Sequence, residues 1–139
     1  MNKTFILLVI LLFGNFSCQN KKKSVFESEK QVEIESNQKV LKALKKEGDK
    51  LIVARDVFHW IYFSTEKDQN EYLKEVESKG FLFVSSNKID DKYPFQLQIK
   101  RFDKVDKESV DQYVIYLWQT AINHNGDYDG WETSVEKSL

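Results

Sequence analysis

The chain has 139 residues, 14% of them aromatic, with 21 basic against 22 acidic side chains and a formal net charge of -1. That length fits one domain of roughly 100–150 residues, and the balanced charge excludes a bulk field that would draw in nucleic acid. A single proline and a single cysteine, Cys18, exclude a proline-rich scaffold, an intramolecular disulfide and a cysteine-based zinc cluster.

In chain order, the cationic start Met1-Asn2-Lys3-Thr4 leads into the unbroken apolar run Phe5 to Phe13. This is the form of a secretory leader, whose apolar stretch spans ~7–15 residues and ends at a small residue. The run is shorter than the ~20 residues a membrane-spanning helix needs. Ser17-Cys18 fits the cleavage site of a bacterial lipoprotein, although Asn15 and Phe16 depart from its strict form. Several acyl chains on Cys18 would anchor stably where one chain binds only marginally. The expectation is a leader over 1–17, a mature protein starting at a lipid-bearing Cys18, and a cell-envelope location facing the periplasm rather than the cytoplasm. Residues 18–36 are lysine-rich and then glutamate-rich, with only Val25, Phe26, Val32 and Ile34 as sizeable apolar side chains, and read as a flexible polar tether.

The domain is expected over 37–137. Val40, Leu41 and Leu44 lie at helical spacing within Asn37 to Glu47, and Gly48 supplies a stop. Asp56 to Ser64 is β-branched and aromatic, with Val57, His59, Ile61 and Phe63 on one face and Phe58, Trp60 and Tyr62 on the other. Ser64 or Thr65 caps a helix carrying Tyr72, Leu73 and Val76 and ending at Gly80. Phe81 to Ser85 is a second strand. After Pro94, Phe95, Leu97 and Ile99 alternate with Gln96, Gln98 and Lys100, a strand with one buried and one wet face. Asp106 caps the longest helix, which runs to Asn123 on a stripe of Val110, Val114, Leu117 and Ala121. Asn125-Gly126 ends it, and Tyr128 to Val135 forms the last strand. A leading helix followed by β-α-β-β-α-β predicts an α+β, ferredoxin-like sandwich. Its four-stranded antiparallel sheet would have the first and third strands central and two helices on one face.

Tyr128-Asp129-Gly130-Trp131-Glu132-Thr133, following a long helix that ends in Asn-Gly, resembles the C-terminal signature of the RraB family, regulators of ribonuclease E activity. Gly48-Asp49, Val57-x-His59-Trp60-x-x-Phe63 and Lys79-Gly80-Phe81 are similar to that family's earlier motifs, so the resemblance covers about Asn37 to Val135. It implies an α/β sandwich and a non-catalytic domain. The family's characterised role is inhibition of ribonuclease E by protein contact in the cytoplasm. An exported, lipid-anchored chain would not meet that enzyme, so the expectation is a binding module with a different protein partner.

Candidate sites remain. Asn125, Asp127, Asp129, Gly130 and Glu136 have the spacing of a calcium-binding EF-hand loop. Against this, the first ligand is neutral, Glu132 stands where the loop wants an apolar residue, and only three residues follow Glu136. The competing reading is a helix stop at Gly126 and a bulge at Gly130, and no metal or other cofactor is expected. A metal- or ligand-binding alternative would join His59 and His124 to Asp127 and Asp129. Trp60, Tyr62, Tyr128 and Trp131 form a candidate aromatic binding surface on the helix-free side of the sheet, with packing beneath the leading helix as the competing reading. His59 and Asp129 join them as candidate binding residues, and for His59 the competing and favoured reading is a hydrogen-bonded structural histidine. No nucleophile elbow, H-E-x-x-H pair or phosphate loop is present, so catalysis is not expected.

Overall fold

The computed structural model describes residues 16–137, with side chains from residue 21 onward. The leader predicted over 1–17 therefore lies outside the described residues apart from its last two, and of Cys18 only the backbone is described. The elements are α1 (Phe16–Lys46), β1 (Arg55–Phe63), α2 (Glu66–Glu77), β2 (Leu82–Lys88), β3 (Phe95–Asp103), α3 (Lys107–Asn123) and β4 (Gly126–Thr133). The sheet order is β2-β3-β1-β4 with every pair antiparallel, so β1 and β3 are central as the split β-α-β pattern requires. Thr65 and Asp106 cap α2 and α3, accepting from the backbone N–H groups of Asp68 and Ser109.

The leading helix departs from expectation. It begins at Phe16, not Asn37, and the segment read as a flexible tether is helical. Residues 18–36 contain no glycine or proline and are rich in Lys, Glu and Gln, which cost little in a helix. Its less exposed positions, Phe26, Lys30, Glu33, Asn37, Leu41 and Leu44, recur at helical spacing. Phe26 lies against Trp118 of α3 with ring centroids 5.0 Å apart, and Asn37 Nδ2 donates to Asp111 Oδ1 at 3.0 Å. The middle of this stripe is polar, so hydrophobic periodicity alone does not reveal it.

Gly48, at φ +95°, closes α1 with the N–H of Asp49 returning to the carbonyl of Leu44 at 3.1 Å. The turn delivers Asp49 to Arg55 at the start of β1. Their paired side chains are buried, and both Asp49 oxygens accept from the guanidinium. Arg55 also donates to the carbonyl of Ser134 at 2.8 Å, and Asp49 accepts the N–H of Glu136 at 2.9 Å. This one ion pair ties the end of α1, the first strand and the chain's C-terminal segment. The Arg55 hydrogen bonds hold the Asp49 carboxyl down at about 2, below the usual 3.8.

The core lies between the sheet and its helices. Val57, Ile61 and Phe63 of β1 and Leu97 and Ile99 of β3 meet Tyr72 and Val76 of α2 and Val110, Val114 and Leu117 of α3, all buried. Gly126 fits because it has no side chain: a Cβ there would stand 2.5 Å from the Phe63 ring.

Candidate functional site

β1 divides the residues predicted to share a surface. Val57, His59, Ile61 and Phe63 are fully buried under the helices, whereas Phe58, Trp60 and Tyr62 on the opposite face are only half-buried. Antiparallel partners share a face, so His59 and its register partner Trp131 both point into the core. Tyr128, opposite Ile61, does the same because the register shifts between Trp60 and Ile61, leaving Asp129 as the extra residue. Gly130, at φ +147°, supplies the backbone this bulge needs. Without the bulge, Tyr128 and Trp131 would fall on opposite faces. Tyr128 and Trp131 therefore lie in the interior and not on the expected surface, and His59 is a buried structural histidine and not a binding residue, while Trp60, Tyr62 and Asp129 stay accessible.

The three interior residues have partners that explain their types. Tyr128 Oη and His59 Nδ1 are 2.8 Å apart, and the imidazole meets the Phe81 and Tyr113 rings edge-on at 5.7 and 5.5 Å. Burial, with Arg101 nearby, pushes His59 down to about 3, so the ring is neutral at physiological pH. Among the described residues its Nε2 has no hydrogen-bond partner. Trp131 Nε1 donates to Asn37 Oδ1 at 2.9 Å, and the same Asn37 donates to Asp111. One asparagine thus fastens α1 to both β4 and α3.

The calcium reading of 125–136 does not survive the fold. Most of that stretch is the extended strand β4, which does not curl around an ion. Asn125 Nδ2 donates to Asp68 at 3.3 Å, and Glu136 Oε1 accepts from Ser134 at 2.8 Å. The alternative set of His59, His124, Asp127 and Asp129 is dispersed as well. His59 is inside the core, His124 Nε2 lies 2.7 Å from Glu75, and Asp127 pairs with Tyr62 on the open face. Among the described residues no cluster of three or more His, Cys, Asp or Glu side chains is arranged to hold a metal.

The sheet face opposite the helices is what remains as a site. Across its centre lie Phe58, Trp60 and Tyr62 of β1 and Gln96, Gln98 and Lys100 of β3. Gln96 Nε2 donates to Tyr62 Oη at 2.9 Å. Lys100 binds Asp56 at 2.7 Å and sits 5.6 Å from the Phe58 ring centroid. Trp60 faces Gly130 across the β1–β4 pairing, so one flank of the indole has no cross-strand side chain beside it. Next to it, Tyr62, Ile89, Tyr93, Asp91, Asp127 and Asp129 surround a hollow of about 240 Å³. Phe102 and Leu82, 68% and 58% exposed, extend the apolar area toward β2. The site is an aromatic floor with a carboxylate rim, suited to burying another surface and unsuited to phosphates.

The sequence model for the family described as regulator of ribonuclease activity B, RraB, matches residues 34–133, well over half of the chain. The chain belongs to the RraB family. No curated protein matches it. RraB domains are non-catalytic regulatory modules, and the match takes in all four strands, both crossover helices and α1 from residue 34 onward.

Sequence reasoning missed Asp91, Tyr93 and Phe102 as parts of this surface. The signal was available only in part. The wet alternation of β3 and the outward set of β1 mark the same face, but only strand pairing brings the β2–β3 connection over to Tyr62. The sequence marks Asn37 only as a helix start, and nothing local to it announces a partner 94 residues away.

Proposed function

We propose that this RraB-family domain is a non-catalytic, protein-binding regulator that recognises its partner through the open face of the sheet and is held at a membrane by lipid on Cys18. The observation that carries the reading is the aromatic floor around Trp60 and Tyr62, left uncovered by the described residues, in a fold whose other face is covered by helices over β1, β3 and β4. Aromatic residues that bury area at little conformational cost are favoured anchors for protein contact. The carboxylates of Asp91, Asp127 and Asp129 around the adjoining hollow favour a partner with basic side chains there.

The anchor reading rests on the apolar run and on Ser17-Cys18. At ~1.5 Å per residue, about 12 Å of helix separates Cys18 from Phe26, the first side chain packed on the domain. A rigid strut then holds the domain at a fixed orientation from the bilayer. A cytoplasmic ribonuclease would not be the partner of such a protein.

Photocrosslinking in intact cells tests both parts. A photoreactive residue in place of Trp60 is expected to capture a specific partner, and one in place of the buried Trp131 is not. Equal capture from both positions, or from neither, would overturn the surface. Fatty-acid labelling is expected in the wild type and lost in Cys18→Ala; an unlabelled wild type would remove the anchor.

A further inference from the structure

At the end of the domain away from the N-terminus of α1, the chain collects positive charge and exposed apolar side chains. The C-terminal ends of α1 and α2, the N-terminal end of α3, the start of β1 and the end of β3 meet there. Phe26, early in α1, packs on Trp118 late in α3, while Asn37 bonds Asp111 early in α3, so the two helices run antiparallel. The N-terminal end of α1 is therefore at the opposite pole.

Two cavities open at this pole. The larger, about 640 Å³, lies between the end of β3 and α3 and is lined by Lys79, Arg101, Lys104, Gln112, Tyr113 and Tyr116 among others. The second, about 570 Å³, includes Lys42, Lys45, Lys50, Ile52 and Lys107 in its walls. The segment between Leu51 and Ala54 contributes to both. Here Leu51 has φ +58° and leaves Ile52 74% exposed, close in sequence to the exposed Val53. A non-glycine residue in this region stores backbone strain, which the Asp49 carboxylate offsets by accepting the Leu51 N–H at 2.7 Å.

The aspartates of this pole are committed. Asp49 holds Arg55, Asp103 holds Arg101, Asp111 holds Lys107, and Asp106 caps α3. Among the described residues, Lys42, Lys45, Lys46, Lys50, Lys79 and Lys104 form no ion pair, and the acids of this pole outside those pairs are Glu47, Glu77, Glu108 and Glu136. The linings themselves are basic in a chain of net charge -1: Lys79, Arg101 and Lys104 against Asp103 in the larger cavity, and Lys42, Lys45, Lys50 and Lys107 against Asp106 in the second. Arg101 is fixed as part of the cavity wall, its guanidinium 4.1 Å from the Phe81 ring centroid and donating to the Lys79 carbonyl at 3.0 Å.

We propose that this pole docks an acidic segment of a partner protein. A bulky apolar side chain of that segment enters the larger cavity against Tyr113 and Tyr116, and flanking carboxylates meet Lys79 and Lys104. The cavity is within the ~300–1,000 Å³ that enclosed ligand groups occupy, and the lysines supply the charge complement. A protein segment is favoured over an anionic bilayer by the direction of α1: a membrane holding Cys18 would lie at the other pole. This site adjoins the open sheet face at Phe102, which lines the cavity, but the carboxylate-rimmed hollow beside Tyr62 is at the other end of β1 and its chemistry is the reverse, so the two would take different partners or different parts of one.

The test uses the full chain and a fluorescein-labelled peptide in which one phenylalanine is flanked on both sides by glutamates. A second peptide has lysine in place of each glutamate, and phosphatidylcholine vesicles containing phosphatidylglycerol form a third probe. Saturable one-to-one binding of the acidic peptide is expected, weakened about tenfold or more in Lys79→Glu/Lys104→Glu and unchanged in Trp60→Ala. The lysine peptide should not bind. Both substituted lysines are exposed, so the double variant should keep its thermal midpoint; Ile52→Ser provides a second, uncharged probe of the same pole. Absence of saturable binding, equal binding by the double variant, loss of binding in Trp60→Ala, or preference for the vesicles over the peptide would each overturn the proposal.

Discussion

His59 gives the domain a predictable sensitivity to acid. In the unfolded chain the imidazole takes its ordinary value near 6.5, whereas burial under α3 holds it at about 3 in the fold. Between those values the unfolded chain binds a proton that the folded chain refuses. Stability is therefore complete above pH 6.5 and falls as pH falls toward 3, by ~1.4 kcal/mol per pH unit. From pH 7.5 to pH 5.0 the loss from this one residue is about 2 kcal/mol, a large share of the ~5–15 kcal/mol that holds a domain together. The window stays above the value to which Arg55 holds Asp49, so that pair remains ionised throughout. Urea unfolding of the wild type and of His59→Gln at both pH values checks it. Glutamine can still accept from Tyr128 Oη but cannot titrate. The wild-type midpoint should drop on acidification, and the variant, though less stable at pH 7.5, should lack that component. A wild type equally stable at both values, or a variant with the wild-type pH dependence, would refute the reasoning.

Three further substitutions probe the frame, each read by urea unfolding at neutral pH. Asp49→Asn leaves the buried Arg55 guanidinium without its countercharge and should cost ~3–5 kcal/mol. Trp131→Phe removes the donor to Asn37 Oδ1, costing ~1–2 kcal/mol and speeding amide exchange in α1 more than in β1. Gly126→Ala places a methyl group 2.5 Å from a Phe63 ring atom and should cost ~1–3 kcal/mol by overpacking.

Periodicity made most of this architecture legible. The alternation in Phe95 to Lys100, the capping residues Thr65 and Asp106, and the stripe of α3 each encode their element in a few adjacent residues, and the order of elements dictates the sheet. Two features resist such reading. The inner stripe of α1 is polar at its middle, half-buried at Lys30 and Glu33 and buried at Asn37, whose partners lie on α3 and β4, so composition misreads the segment before Asn37 as a tether. The faces of β4 depend on a single bulge at Asp129. Strict alternation separates Tyr128 from Trp131, and only the shifted register with β1 puts both inside. Gly130 signals the bulge locally, but its consequence for the neighbouring aromatics follows from pairing, which is not local information.

The residues that carry the family resemblance mostly face inward, and this bears on how far the match reaches. Gly48 and Asp49 lock the end of α1, His59 and Tyr128 bond inside the core, and Trp131 fastens Asn37. A match resting on such residues transmits a frame, and the same frame can serve different partners. The exceptions are informative. Lys79 lies at the basic pole, while Trp60, Asp129 and Glu132 look outward, around the position where Trp60 meets Gly130. A bulge that served packing alone would need Tyr128 and Trp131 inside, but it would not need an indole left half-exposed beside a residue with no side chain. The outward part of the motif thus points to the same patch of open sheet that the described residues leave without a covering helix. Replacing Trp60 should alter recognition while leaving intact nearly everything by which the family is recognised.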